Sequence, residues 1–148
     1  MIRGNSVHLD FRSTFDMLDL VQVVSDHVGR QAGLDEEALH WVGVAVRESV
    51  INAIKHGNGN DAGKRVHVEF TPLETAAPPQ GIVIRVRDEG PGFDPSTLPD
   101  PLAPENLLKA SGRGIFLMRS FMDELTLRRA PEGGMEVVMV KRVLPQRV

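Results

Sequence analysis

Residues 89–111 hold five of the chain's ten prolines: Pro91, Pro95, Pro99, Pro101 and Pro104. Proline lacks a backbone N–H and clashes with the preceding helical turn, so this density denies both a helix interior and a central strand. The chain must build its layers on either side of this stretch and cross it without regular structure. Connections longer than about 12–15 residues inside a compact domain are usually functional or disordered. Asp94, Asp100 and Glu105 place acids along it.

Upstream, residues 6–12 alternate Val7, Leu9 and Phe11 with His8, Asp10 and Arg12, the period of a half-buried strand. Thr14 is placed to open a helix carried by Phe15, Leu18, Val21 and Val24/Val28, with Gly29 and Gly33 closing it. Asp35 is the expected N-cap of a second helix, with Glu36 and Glu37 in the turn where the dipole favours negative charge. That helix is expected to reach His56 and to stop at Gly57-Asn58-Gly59-Asn60. Strands follow over 65–71 and 81–87, joined by the proline-containing stretch 72–80. Beyond the proline-dense stretch the pattern predicts a helix over 114–122, then strands near 124–129 and 136–143 around the turn Pro131-Glu132-Gly133-Gly134. Strand, two helices, two strands, loop, helix, two strands is not the alternation of a doubly wound sheet. It implies the α+β class: a two-layer α/β sandwich whose mixed, mostly antiparallel sheet carries helices on one face.

At 148 residues the chain reads as one domain over 1–148, long enough to bury a full core without staples. The absence of cysteine removes disulfides, cysteine-ligated zinc, iron–sulfur clusters and thiol catalysis, and fits a reducing compartment. Seventeen Lys and Arg against twenty Asp and Glu leave a net charge of −3, so no global field draws nucleic acid or an anionic membrane. No apolar run approaches the roughly 18 residues of a membrane span, and the first residues lack a signal peptide's apolar region. The expected frame is soluble and cytoplasmic, with no direct nucleic-acid contact and no membrane.

Three places carry chemistry. On the second helix, Val42, Val46, Val50 and Ala53 share one face, and the far side is again apolar, with Trp41, Val44, Ala45 and Ile51. Into that far side Glu48, Asn52 and Lys55 are set in line at i, i+4 and i+7. Polar groups on a covered surface need partners. They form either a structural hydrogen-bond network or solvent stripe, or a pocket with a carboxylate base, an amide ligand and an ammonium. An amide oxygen plus waters suits Mg²⁺, which keeps much of its hydration and bridges to phosphates. Second, the apolar strand Ile82-Val83-Ile84-Arg85-Val86-Arg87 delivers Asp88 at its end, before Glu89-Gly90-Pro91-Gly92-Phe93. Asp88 either caps a tight turn or faces a ligand that the two glycines let approach closely. Third, Ser111-Gly112-Arg113-Gly114 opens a helix, as a hinge or as a site where free N–H groups take phosphate oxygens. No Walker loop occurs, because Gly63-Lys64 is followed by Arg65, and no dinucleotide fingerprint is completed.

In this order, Glu48-x-x-x-Asn52, Asp88-x-Gly90-x-Gly92 and Gly112-x-Gly114 resemble the N box and the two glycine boxes of the GHKL ATP-binding superfamily, the fold of gyrase and of histidine-kinase catalytic domains. The fuller text, from Val46-Arg47-Glu48-Ser49-Val50-Ile51-Asn52-Ala53-Ile54-Lys55-His56-Gly57 through Ser111–Glu124, is similar to the anti-sigma factor serine/threonine kinase branch. The resemblance runs from the first strand to Lys141. It implies that Glu48 activates an attacking hydroxyl and that Asn52 holds Mg²⁺. It also implies that Asp88 meets the adenine amino group with Gly90 and Gly92 making room, and that Gly112, Arg113 and Gly114, with Ser111, contact phosphates. Lys55 and His56 belong to the expected nucleotide-binding set; His56 could equally serve as a charge at a helix C-terminus. The proline-dense stretch, about residues 93–111, becomes an ATP lid, with 94–110 expected to order around nucleotide. The implied activity is an ATP-dependent protein kinase that sequesters a sigma factor and phosphorylates an anti-anti-sigma STAS-domain partner, as a homodimer. The alternatives are an ATP-sensing module without phosphotransfer and a detached sensor-kinase catalytic domain. His27 lacks the acid that follows a phospho-accepting histidine, and Trp41 reads as packing. One departure stands out: the family often has threonine in the last hairpin, where this chain has Met135.

Overall fold

Alternation of side chains dictates the sheet. The computed structural model describes residues 5–73, 81–92 and 119–143. Within them β1 (Val7–Arg12), β2 (Arg65–Pro72), β3 (Gly81–Arg87), β4 (Glu124–Arg129) and β5 (Met135–Arg142) form one sheet in the order β1-β2-β3-β5-β4. Every described pairing is antiparallel. Register is pinned because a one-residue slip would turn each apolar row to solvent. Val66, Val68 and Phe70 of β2 line up with Ile82, Ile84 and Val86 of β3 and Met139 of β5, and all are buried.

Two helices cover that inner face. A short 3₁₀ turn (Phe15–Met17) leads into α1 (Leu18–Gln31), which buries Leu18, Val21 and Val28. Thr14 has extended backbone angles at this entry but makes no side-chain cap. Helix α2 (Glu36–Asn52) begins as the sequence predicts, with the Asp35 carboxylate accepting the Ala38 N–H at 2.8 Å. It buries Leu39, Val42, Val46 and Val50 against the sheet side of the core. The helices lie close together, and Gln22 Nε2 donates to the Gly43 carbonyl at 2.8 Å. Gly29 does not close α1. It sits inside the helix, where an added Cβ would come within 2.6 Å of Leu39 Cδ2, so it permits helix contact rather than ending a helix. Gly33, at φ +94°, provides the exit.

The opposite face of the sheet is charged and cross-linked in register. Glu69, Arg85, Glu136 and Arg128 form a chain of ion pairs across β2, β3, β5 and β4, with spacings from 3.9 Å down to 2.5 Å, and His8 Nδ1 on β1 lies 3.5 Å from Glu69. Pairs with two exposed partners stabilise little individually; here Glu136 is buried, 8% exposed, and meets both Arg85 and Arg128 on a face that no described helix covers. The two-layer α+β arrangement is the one anticipated from the element order. Most of the expected helix 114–122 lies outside the described residues, of which 119–121 are helical. No described helix is long and apolar enough to cross a membrane.

Candidate functional site

The end of α2 determines the site. After Asn52 the helix widens into a π-turn (Ala53–Gly57), in which the Asn58 N–H reaches back five residues to the Ala53 carbonyl at 2.8 Å. Such turns hold one more residue than an α-turn. The i, i+7 relation expected between Glu48 and Lys55 is therefore broken after Asn52. Glu48 and Asn52 remain one α-turn apart and half-buried, whereas Lys55 and His56 are exposed on the wide turn. Neither Glu48 nor Asn52 hydrogen-bonds another described side chain, so the structural-network reading of this stripe has no support among the described residues.

The wide turn delivers Gly57 beneath Asp88. Asp88 follows β3 directly and is 6% exposed. Its N–H donates to the Met135 carbonyl at 3.0 Å, and its Oδ1 accepts from the N–H groups of Gly90 at 3.0 Å and Met135 at 3.1 Å. The other oxygen, Oδ2, accepts from no described residue and lies against Gly57. A Cβ at Gly57 would overlap Oδ2, one at Gly90 would overlap the Gly57 carbonyl, and one at Gly134 would overlap the Asp88 carbonyl. Three glycines from three parts of the chain thus enclose one carboxylate. Gly134 adopts φ +82°, a conformation side chains rarely take. Asp88 also caps its own turn through Gly90, the first of the two readings of the sequence, while its Oδ2 has no described donor.

Gly92, at φ +69°, lies on the rim near Arg129 and Gly134. Met135 meets Asp88 through its main chain, a contact that a threonine would make equally. Ser111, Gly112, Arg113, Gly114 and the expected lid over 93–111 lie outside the described residues.

Sequence reasoning missed several members. Asn58 is 3% exposed, and its Oδ1 accepts the Glu89 N–H at 2.7 Å. Glu89 accepts from the Arg65 N–H and from His67 Nε2, each at 2.8 Å. The hydrogen bond from His67, followed by that from Arg65, holds the Glu89 carboxyl below its ordinary value of 4.5. On the far side of His67, Asp10 is also held below its ordinary range, chiefly by its hydrogen bond from Arg65. A signal for Asn58 existed in the cluster Gly57-Asn58-Gly59-Asn60, which reads only as a helix stop. At the other end of α2, Trp41 stacks on Phe121 with ring centroids 3.8 Å apart and planes 8° from parallel. The packing role expected of Trp41 is thus seen.

A family model described as the histidine kinase-like ATPase domain matches residues 11–141. The chain belongs to that family. The serine-protein kinase RsbW of Staphylococcus aureus is 30% identical over 141 residues, spanning 90% of this chain and 84% of the relative. RsbW of the JH9 and Newman strains of that species matches to the same extent. These relatives bear out the resemblance to the serine-kinase branch that the three motifs carry.

The residues fit a nucleotide of the kind such a family takes. Asp88 Oδ2 is an acceptor in a cradle that a Cβ would fill, and the Asn52 amide oxygen is uncommitted among described residues. No described group of three His, Asp or Glu side chains is clustered to hold a metal, so a cation here would depend on Asn52, water and the ligand's own phosphates.

Proposed function

We propose that the protein is an ATP-dependent serine/threonine kinase that acts as an anti-sigma factor in a partner-switching system. It phosphorylates a STAS-domain anti-anti-sigma protein and sequesters a sigma factor when that partner is modified. The observation that carries the reading is the division of labour along α2. One element presents an uncommitted carboxylate and amide one turn apart, then delivers Gly57 to the buried Asp88. The name of the relatives, serine-protein kinase, supports the acceptor class.

The roles follow from chemistry. Asp88 Oδ2 accepts a hydrogen bond from the exocyclic amino group of adenine, while Met135 and Gly90 hold Oδ1 in place. Mg²⁺, when bound, neutralises phosphate charge, with the Asn52 amide oxygen as its protein ligand. Glu48 takes the proton of the incoming serine or threonine hydroxyl as its oxygen bonds to the γ-phosphorus and the bond to ADP breaks. Lys55 and His56, exposed on the wide turn after Asn52, are the residues proposed to meet the phosphates.

The test is transfer of labelled phosphate from ATP to a candidate STAS partner, wild type against Glu48→Gln. The amide keeps size and hydrogen bonding but accepts no proton, and a general base contributes about 10²–10⁴-fold. The variant should bind ATP while transfer falls by that factor. Equal transfer removes Glu48 as the base. ATP binding without any transfer by the wild type replaces the kinase with a nucleotide-sensing module.

A further inference from the structure

We propose that Asn58 is a positioning residue that sets the purine preference of this site, an inference that rests on the nucleotide reading above. The orientation of its carboxamide is fixed by its neighbours. Nδ2 donates to the Arg65 carbonyl at 3.0 Å and to Ser13 Oγ at 2.7 Å, and Ser13 Oγ in turn donates to the Lys64 carbonyl at 2.7 Å. Oδ1 faces the Glu89 N–H. A flipped amide would set an oxygen against a carbonyl and an NH₂ against an N–H, so only one orientation satisfies the partners.

What it holds is the middle of a three-residue run. The Asp88 N–H is bound by Met135, the Gly90 N–H by Asp88 Oδ1, and the Glu89 N–H by Asn58. The peptide plane between Asp88 and Glu89 fixes the direction in which the Asp88 carboxylate leaves the chain. Asn58 braces that plane from the π-turn, on the same stretch of chain that places Gly57 against Oδ2. Glu89's own side chain is tied elsewhere, to Arg65 and His67, and cannot replace the brace. A fixed acceptor at Oδ2 favours a ring edge carrying an amino group and repels one carrying a carbonyl. Adenine and guanine differ in that respect at the same ring position. Asn58 touches neither base; it acts through Asp88.

The experiment measures Kd for Mg-ATP and Mg-GTP by calorimetry on the full chain, together with melting temperature. Asn58→Ala should weaken ATP binding about tenfold, the scale of one buried hydrogen bond lost, and leave GTP nearly unchanged, so the ATP-over-GTP ratio shrinks by a similar factor. Ser13→Ala removes the partner at the donor end while leaving the Glu89 contact; it should lower the melting temperature and preserve the ratio. If Asn58→Ala does not fold, Asn58→Asp decides. It keeps an oxygen facing the Glu89 N–H and should retain the ratio at lower stability. A preserved ratio in Asn58→Ala, or a ratio lost equally in Ser13→Ala or in Asn58→Asp, overturns the positioning role while leaving the nucleotide reading standing. A wild-type chain that binds neither nucleotide overturns both.

Discussion

The two ends of the site are built on opposite principles. Around Asp88 every described neighbour is committed: three glycines close in, two N–H groups grip one oxygen, and Asn58, Glu89, Arg65 and His67 brace the loop. Around Glu48 and Asn52 the side chains stand half-buried with no described partner. The fold has fixed one end and left the other open. Recognition of a base requires an acceptor aimed before the ligand arrives, since a buried polar group left unmatched costs about 1–3 kcal/mol. Proton removal and cation binding require groups not neutralised by the protein itself. In the kinase reading proposed above, one helix would serve both, because a π-turn separates its regular part from its braced end.

The contrast can be broken most forcefully at Gly134. Alanine there meets the Asp88 carbonyl and must adopt a strained positive φ. Strain and overpacking each cost about 1–3 kcal/mol, and a chain of this size loses roughly 2–4 °C per kcal/mol. Gly134→Ala should therefore melt about 5–15 °C lower and bind ATP at least about tenfold more weakly. A melting point within about 2 °C of wild type would show the cradle to be compliant.

Asn52→Ala probes the open end. It should abolish Mg²⁺-dependent ATP binding, yet the ligand-free melting temperature should move by less than about 2 °C, because no described partner is lost and such changes stay within about 0.5 kcal/mol. A large loss of stability would mean that Asn52 is structural and that the two ends are built alike.

The smallest effect is a pH response confined to the braced end. Glu89 has a folded pKa below its ordinary 4.5, so the unfolded chain binds protons more readily in acid. The stabilisation is fully present above that value and is lost as pH falls through the lower folded one. With the Glu89 side chain 35% exposed, the contribution is modest. Urea midpoints for wild type and Glu89→Gln should converge as pH drops from neutrality to below 4.5. Parallel midpoints throughout would sever the His67–Glu89 link from stability.

Local chemistry made much of this legible. Asp35 as a cap, the alternating rows of β1, β2 and β3, and Asp88 at the end of an apolar strand before paired glycines all show within a few residues of sequence. What stayed hidden depends on distant pairing. Gly134 reaches Asp88 through the β3–β5 register, and Gly57 reaches it only because the helix widens after Asn52, a change that apolar periodicity does not encode. Asn58 reads as a turn residue because its three partners come from β1's exit, β2 and β3's exit. Gly29 reads as a helix end for the same reason: the close approach of Leu39 is a tertiary fact.

The stack of Trp41 on Phe121 has an optical consequence. The chain contains one tryptophan and no tyrosine, so its ultraviolet emission comes from a single indole lying flat against another ring. Phe121 stands where the chain leaves the segment of the second glycine pair and enters β4, and any displacement of that point relative to α2 unstacks the emitter. The chain also has no cysteine, so one introduced thiol is a unique attachment point for an energy acceptor. The protein therefore carries its own donor, at a known place on α2, for measuring distances in solution.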